Sequence, residues 1–540
     1  MNNRLQKARR TVKPLLFGCA TGIIGGAIIT LFIICAKVVS HFTFELYESA
    51  RTPLFVVCIC MLVLLCCLIT AVIQTLCPTS KGSGIPLAEG CARGMLRVKW
   101  LRNAAALIAG SLIAFLSGMP LGSEGPSIGV GGLIGDGVGK SCKQPVELRR
   151  YLITGGASAG LAVAFNAPLT GVAFALEETH RRFSPGILVA AFSAVVPAVL
   201  ISQLLFWAFG HNAYLNGLGI ESGFTVMPAL KQAEFTSIGV FMAVCGIAAV
   251  CGIICSLFAI SFNHIIFALG KVFGKIKSPM IRLLPAFALA ALCGLLMHQT
   301  VGSGEATLHS VSIRSAVWMI VVLFLLRFIL TSIASGSGAT GGLFLPMIAL
   351  GGLIGTLLAK AACACSLSEA YASNIIMLCI AAFFAASVRA PISAMAMTIE
   401  LTASFSNLLP CAIAVGISTA VAGLCRTAPL YERMMENMQA ATPVPAGHKN
   451  LTVCGRITER SVACGKRIRD ILWPYNCLVT GLERTGEELV PDGETVLMDG
   501  DVLTVRAERV DPSSFREQID DYIVPSFSCE GLGNITKLKE

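Results

Sequence analysis

The stretches Pro126-Ser-Ile-Gly-Val-Gly-Gly-Leu-Ile-Gly and Pro346-Met-Ile-Ala-Leu-Gly-Gly-Leu-Ile-Gly decide the fold of this chain, because seven of their ten positions are identical. A second pair follows in the same order and at nearly the same separation. Residues 167–177, Ala-Pro-Leu-Thr-Gly-Val-Ala-Phe-Ala-Leu-Glu, parallel residues 390–400, Ala-Pro-Ile-Ser-Ala-Met-Ala-Met-Thr-Ile-Glu. Chance similarity of glycine-rich apolar helices would not preserve both order and spacing. We therefore predict two related halves, about residues 50–210 and 235–430, as in transporters whose site lies between repeats.

The composition indicates a membrane protein. Of the 540 residues, 55% are hydrophobic and only 13% are charged, whereas soluble domains are about 25% charged. This excludes a water-soluble enzyme core as well as collagen-like, disordered and disulfide-scaffold proteins. The chain carries 41 basic and 31 acidic side chains. We assign the positive excess to cytoplasmic loops in contact with the lipid bilayer, and not to binding of a nucleic acid polymer.

The N-terminal sequence predicts a cytoplasmic start. Residues 1–13 hold five basic side chains and no acid, and an uncharged run from Pro14 to Ala36 follows. That run is long enough to span a bilayer, which favours an uncleaved first helix over a signal peptide. Glycine and proline clusters interrupt later apolar runs and predict broken helices. We expect a multi-pass protein of a bacterial cell membrane, with a transmembrane domain over residues 14–440 and both termini in the cytoplasm.

The 22 cysteines do not predict a metal site. Most lie in apolar runs, and no two have the Cys-x-x-Cys spacing. Free cysteine packs as a small hydrophobic residue, so we expect no metal and no cofactor. Glu177 and His180 have the Glu-x-x-His spacing of di-metal bundles, but the second half offers Glu400-Leu-Thr-Ala without a histidine. A membrane metalloenzyme is therefore disfavoured, since such sites need a second copy of the motif.

Three glycine turns each lead into an apolar helix: Gly82-Ser-Gly-Ile-Pro86, Gly122-Ser-Glu-Gly-Pro126 and Gly341-Gly-Leu-Phe-Leu-Pro346. Glycine permits close backbone approach, and proline suits a first helical turn. The N-terminus of a helix exposes unpaired N–H groups and the positive end of the helix dipole. Such an end binds an anion without any cationic side chain. We predict that the three turns converge on one small dehydrated anion.

Glu124 is the only charged residue between Arg102 and Asp136. An acid at membrane depth is a candidate functional residue by default. Its carboxylate, at a helix start, would occupy the anion site when ionised and leave it when protonated, which would link proton uptake to anion access. The alternative is an acid that only stabilises the helix dipole.

These three turns and Pro429-Leu-Tyr431 resemble, in this order, the motifs of the CLC family of chloride channels and anion/proton antiporters. The resemblance covers about residues 14–440. It implies an all-α polytopic membrane protein with an inverted two-repeat architecture and broken helices, assembled as a homodimer with one pore in each subunit. It also implies that Glu124 is the gating glutamate and that the anion is held by the hydroxyls of Ser83 and Tyr431 and the backbone N–H groups of Leu343 and Phe344. The motif glycines and prolines carried over are Gly82, Gly84, Pro86, Gly122, Gly125, Pro126, Gly342 and Pro346.

By the same resemblance, Glu178 matches the inner proton glutamate of CLC antiporters, which channels of the family usually lack. The alternative is a solvated acid at a helix end beside Arg181 and Arg182. We expect exchange of chloride-like anions for protons, with a passive voltage- or ligand-gated chloride channel or a fluoride/proton antiporter as alternatives.

Position 123 is serine, where many members carry arginine. A fluoride-exporting branch also departs there but usually lacks the tyrosine. Tyr431 and Ser83 therefore favour chloride. Two other acids, Glu89 and Glu400, are expected to cap helices or to accept backbone hydrogen bonds.

The apolar character ends near residue 440. Residues 441–449 read as a linker, residues 450–510 as a small α+β cytoplasmic domain, and residues 511–540 as a polar, loosely held tail. Strands are predicted at 451–453 and 503–505 and a helix at 465–472.

Gly500-Asp-Val-Leu-Thr-Val resembles the RCK-C (TrkA-C-like) domain. The resemblance implies dimerisation and a possible small regulatory ligand such as a cyclic dinucleotide; the alternative is an appendage without a ligand. A hypothesis of another class is a membrane sensor that signals through this domain and carries no flux.

Overall fold

The computed structural model describes residues 2–50, 52–181, 183–209, 237–402, 405, 407–441, 449–459, 461–510 and 512–525. They form a large helical domain and a small five-stranded domain at the C-terminal end. Within these residues, eight helices are long and apolar enough to cross a bilayer. The predicted all-α, two-repeat membrane domain with a small α+β domain is confirmed.

The helices of the first half differ widely in length, as broken spans require. In chain order they are α1 (Asn2–Glu48), α2 (Pro53–Leu76), α3 (Gly84–Ala92), α4 (Trp100–Leu116), α5 (Glu124–Ser141), α6 (Val146–Phe165), α7 (Pro168–Phe174) and α8 (Pro185–Phe209). A π-helical turn, Ala175–Thr179, continues α7. No break separates residues 1–13 from the first span, since α1 runs through Pro14.

The second half repeats the pattern of short and long helices. Its helices are α9 (Ile238–Gly274), α10 (Pro279–Leu296), α11 (Glu305–Ser310), α12 (Val317–Gly336), α13 (Phe344–Ala364), α14 (Ala372–Val388), α15 (Pro391–Thr402), α16 (Leu408–Leu424) and α17 (Leu430–Ala441). The boundary between the halves, 210–236, lies outside the described residues.

The core of the membrane domain crosses the boundary between the halves. The ring of Phe344, the first residue of α13, packs between Phe165 of α6 at 4.6 Å and Phe384 of α14 at 4.3 Å. All three rings are buried. Aromatic rings at such distances add to the free energy of burial, so the start of α13 is held from both halves.

Two carboxylates cap helices reciprocally across the repeats. Glu177 accepts hydrogen bonds from the N–H groups of Ile392, at 2.8 Å, and Ser393, at 2.6 Å, at the start of α15. Glu400 does the same for Leu169 and Thr170 at the start of α7, both at 2.7 Å. Each carboxylate satisfies helix N–H groups that have no partner in their own helix. The expected capping role of Glu400 is thus observed.

The small domain is an antiparallel sheet of β1 (Lys449–Arg456), β2 (Cys477–Arg484), β3 (Glu487–Leu489), β4 (Val502–Val510) and β5 (Val524–Pro525), in the order β3-β2-β4-β1-β5. The two predicted strands lie in β1 and β4. The predicted helix at 465–472 is wrong except for a 3₁₀ turn, Ile468–Asp470. Backbone donors there bond across to another loop, as in Gly465 N–H to Leu497 O at 2.8 Å, and are therefore not available for helical bonds.

The small domain also extends past residue 510. Helix α18 (Pro512–Ile519) buries Phe515 and Ile519 in its core, together with Tyr522 and Ile523. The expectation of a loose polar tail fails for this segment because four apolar side chains in a polar stretch are enough to dock it. Residues 526–540 and most of the predicted linker, 442–448, lie outside the described residues.

Glu400→Ala is expected to lower the thermal midpoint of the detergent-solubilised protein. The substitution leaves the N–H groups of Leu169 and Thr170 without their acceptor, at a cost of about 1–3 kcal/mol. Glu436→Ala is the matched control, because the Glu436–Arg433 pair is solvent-exposed and such pairs contribute about 1 kcal/mol or less. Equal midpoints for the two variants would contradict the capping role.

Candidate functional site

Main-chain hydrogen bonds join the three glycine turns. Gly122 N–H donates to Gly342 O at 2.8 Å and Gly342 N–H returns the bond to Gly122 O at 2.7 Å, a short antiparallel bridge between the halves. Gly341 N–H donates to Gly82 O at 3.2 Å. The predicted convergence of the three turns is therefore present in the backbone itself.

The turns approach so closely that side chains are excluded. A Cβ atom on Gly125 would lie 2.7 Å from Gly342 Cα and 2.5 Å from Ser83 Oγ. Real Cβ atoms do not make contacts of that length. Glycine at 125 is therefore a requirement of packing, and it brings the Ser83 hydroxyl against the start of α5.

The helices α3, α5 and α13 each carry proline at their third residue: Pro86, Pro126 and Pro346. Proline lacks an N–H group, but at this position no partner within the helix is lost. In α13 the N–H groups before the proline are free of bonds within the helix, whereas in α3 the Ile85 N–H donates to Ser83 Oγ at 3.4 Å. Leu343 precedes α13 and Phe344 begins it, and both are buried. The arrangement suits a small anion.

Glu124 is the first residue of α5 and is fully buried. The Ser123 hydroxyl lies 3.4 Å from its Oε1, and its carboxyl interacts with the backbone N–H of Leu345 in the first turn of α13. Its Oε2 finds no hydrogen-bond partner among the described residues. The carboxyl of one half thus lies against the N-terminus of a helix from the other half.

Tyr431 is brought to the same region by α17, which packs against α3. Its side chain is fully buried, and its hydroxyl has no hydrogen-bond partner in the part of the chain that the structure describes. Leaving a buried hydroxyl unpaired costs about 1–3 kcal/mol. An anion that accepts its hydrogen bond would remove that cost.

A cavity of about 310 Å³ leads to Ser83. Lys81 and Lys271 line it, as do Ser335 of α12 and Met434 of α17. Two ammonium groups raise the local concentration of anions. The cavity therefore provides a positively charged approach to the Ser83 end of the site.

Glu178 lies in the π-helical turn after α7 and is fully buried, so it is not the solvated acid of the alternative interpretation. Neither carboxyl oxygen has a hydrogen-bond partner among the described residues. Arg181 lies 3.8 Å from its Oε2 and also pairs with Glu432. Tyr431 interacts electrostatically with both Glu178 and Glu124. The two acids, one in α5 and one in the π-helical turn, therefore lie within electrostatic range of the same tyrosine.

Glu89 departs from expectation. It was predicted to accept backbone hydrogen bonds, but neither of its carboxyl oxygens has a partner within the described ranges, and the side chain is buried. Glu89 interacts electrostatically with Glu178 and Tyr431. A sequence feature that could have identified Glu89 is its isolation: like Glu124, it is the only charged residue in its apolar stretch, here between Lys81 and Arg93.

The Glu-x-x-His pair is engaged in other contacts. The Glu177 carboxylate caps α15, and His180 Nε2 lies 2.6 Å from the Thr154 hydroxyl. The described residues contain no group of three or more His, Cys, Asp or Glu side chains placed to hold a metal ion. These contacts assign both residues to packing between helices.

Gly125→Ala is expected to weaken chloride binding by about tenfold or more, because the added methyl group separates the turns that form the site. Isothermal titration calorimetry in detergent measures the affinity. Gly246→Ala is the matched control, since nothing lies within 4 Å of its Cβ position. Unchanged affinity in a folded Gly125→Ala protein would show that the converging turns do not form the anion site.

Comparison with known proteins agrees with this geometry. The family model described as voltage gated chloride channel matches residues 65–423, and the TrkA-C domain model matches residues 456–520. An H(+)/Cl(-) exchange transporter, ClcA, of Vibrio vulnificus strain YJ016 is 30% identical, with 81% of this chain and 92% of the relative covered.

Two solved structures are similar in fold. A slow cyanobacterial Cl-/H+ antiporter superimposes with a TM-score of 0.70 at 26% identity, over 79% of this chain and 98% of that one. A CLC-type fluoride/proton antiporter, at 22% identity, has a TM-score of 0.61 over 76% of this chain and 95% of that one. The paired glycine turns, the buried acids between them and these likenesses lead to one conclusion: the chain belongs to the voltage-gated chloride channel (CLC) family and ends in a TrkA-C domain.

Proposed function

We propose that this protein exchanges chloride-like anions for protons, with Glu124 as the gate and Glu178 as the inner proton relay. The observation that carries the proposal is the position of the Glu124 carboxyl at the start of α13, where an anion would bind. The likeness to ClcA exchange transporters supports proton coupling over passive conduction.

Competition for the helix N-terminus explains the coupling. The N–H groups at the start of α13 stabilise one negative charge, either the Glu124 carboxylate or an anion. Protonation of Glu124 removes its charge and with it most of its attraction to these groups. The anion then binds to the backbone N–H groups of Leu343 and Phe344 and to the hydroxyls of Ser83 and Tyr431. Release of the proton restores the carboxylate, which displaces the anion.

The inner proton route begins at Glu178. Its carboxyl is buried but lies beside Arg181, which is about one-third exposed. Proton exchange with water at that edge, followed by transfer toward Glu124 past Tyr431, supplies the second half of the cycle. Anions approach separately, through the cavity lined by Lys81 and Lys271. Two routes that meet only near Tyr431 suit exchange better than a single open pore.

The protein's setting follows from the same features. The basic N-terminal residues favour a cytoplasmic start of α1, and the TrkA-C domain is proposed to lie on the same side. We propose a bacterial cell membrane, a homodimer as in the CLC resemblance, and a possible small regulatory ligand at residues 450–510. Ser83 and Tyr431 favour chloride over fluoride.

Flux measurements on the purified protein in liposomes test the proposal. A chloride gradient is expected to drive protons uphill, recorded by pH on the same vesicles, with nitrate accepted and fluoride transported poorly. Chloride flux without proton movement would indicate a passive channel. Fluoride preference would indicate a fluoride/proton antiporter, and no flux at all would favour the sensor hypothesis.

Glu124→Gln is expected to retain chloride flux and lose proton coupling, because an amide of the same shape cannot carry the proton or compete as an anion. Simultaneous recording of chloride and pH gives both quantities. The exposed Glu436→Gln serves as the control and is expected to couple as wild type does. Full coupling in Glu124→Gln would remove Glu124 from the mechanism.

Glu178→Gln is expected to reduce proton flux far more than chloride binding, since Glu178 is not among the groups proposed to hold the anion and belongs to the proposed proton route. Chloride affinity by calorimetry and proton flux in liposomes separate the two effects. Glu177→Gln is a poor control because it disturbs a helix cap, so Glu369→Gln, an exposed acid, takes that place. A parallel loss of chloride affinity would contradict separate routes.

A further inference from the structure

One guanidinium joins the TrkA-C domain to the membrane domain. Arg150, in the second turn of α6, is buried. Its Nη1 donates to Leu472 O at 2.6 Å and Trp473 O at 2.9 Å, both in the segment before β2. Its Nε donates to Ala92 O at 2.7 Å and its Nη2 to Arg93 O at 3.1 Å. A single side chain thus holds the C-terminal end of α3 against the small domain.

The end of α3 in turn holds the proton relay. The Arg93 side chain donates to the backbone oxygens of Glu178 at 2.7 Å and Thr179 at 2.8 Å. These carbonyls belong to the π-helical turn that carries the Glu178 carboxyl. A shift of the C-terminal end of α3 would therefore move the backbone of Glu178 through the hydrogen bonds of Arg93.

The other end of α3 belongs to the anion site. Ser83 caps its N-terminus, and Glu89, whose buried carboxyl has no hydrogen-bond partner among the described residues, lies within it. A helix of nine residues is about 14 Å long, so the C-terminal end that Arg150 and Arg93 hold lies a full helix length from the Ser83 end. Arg150 binds carbonyls at the C-terminal end, where helix carbonyls lack partners and a cation is favourable.

On the TrkA-C side the contact is also rigid. The Tyr522 hydroxyl donates to Leu472 O at 2.6 Å, and the rings of Tyr522 and Trp473 stack at 5.4 Å. Docking does not depend on Arg150 alone, because Lys466 pairs with Glu147 at 2.9 Å and Val146 N–H donates to Asp521 Oδ2 at 2.7 Å. Loss of the Arg150 contacts would therefore leave the domain attached but remove the hydrogen bonds that reach Ala92 O and Arg93 O at the end of α3.

We propose that Arg150 is a positioning residue through which the TrkA-C domain sets the placement of α3 and Glu178, so that this domain controls how tightly proton movement follows anion movement. The inference rests on the proposed exchange function. It assigns the output of the TrkA-C domain to the proton relay and not to the anion cavity, because the hydrogen bonds run from Leu472 through Arg150 and Arg93 to Glu178.

The test compares full-length wild type with Arg150→Gln and Arg150→Lys in liposomes, with chloride and proton flux recorded together. We expect both variants to keep chloride flux and to lower the ratio of protons to chloride by about threefold, the size typical of substitutions along a coupling network. Lysine retains the charge but cannot bind carbonyls on both sides. Arg149→Gln is the matched control, since the hydrogen bonds of the Arg149 guanidinium among the described residues go to Asp136 of α5 and not to α3 or the small domain.

A conservative substitution within the TrkA-C domain tests the same connection without disturbing the membrane domain. Tyr522→Phe removes only the hydroxyl that holds Leu472 O, and it is expected to shift the ratio in the same direction. A merely structural role would lower both fluxes together and leave the ratio unchanged. If wild type shows no coupling, the proposed exchange fails. If wild type couples and the Arg150 and Tyr522 variants keep its ratio, only the control by the TrkA-C domain is overturned.

Discussion

The structure depends on the backbone bridge between Gly122 and Gly342. It joins the two halves where three helices begin, and it works only because glycines let the chains touch. In a bilayer, unpaired backbone groups are tolerated only where protein or a cavity satisfies them. The bridge satisfies some of these groups and leaves the others facing one small volume. The proposed anion site therefore follows from how the broken helices are held together, and it needs no cationic side chain of its own.

In the proposed exchange, a carboxyl beside the anion site couples the anion to a proton. Glu124 comes from one half and the α13 N-terminus from the other, so the proposed competition between carboxylate and anion would take place across the repeat boundary. Glu178 and Glu89 add two more buried acids within electrostatic reach of Tyr431. Such a concentration of buried acids is costly in a protein interior, and membrane proteins carry it where ions or protons move.

Glu177 and Glu400 add hydrogen bonds across the same boundary between the two halves. Arg150 links the membrane domain to the TrkA-C domain. Glu177 and Glu178 are neighbours in sequence with unlike surroundings: one caps α15, and the other has no hydrogen-bond partner among the described residues. Both residues lie in the same π-helical turn, which directs their side chains into different surroundings. Short helix α3 then connects the anion site, the buried acids and the small domain in one continuous element.

The sequence by itself determined the membrane class, the two repeats, the three glycine turns and the strands β1 and β4, because composition, proline position and glycine spacing act locally. Isolation along the chain also marked Glu124. Only the tertiary structure decided that Glu89 has no hydrogen-bond partner in the described part of the chain, that Glu400 caps α7, that Arg150 reaches Leu472 and that the small domain continues to residue 525. In each case the partner, or its absence, depends on residues far apart in the chain, and local patterns carry no information about which distant donor and acceptor the fold will bring together.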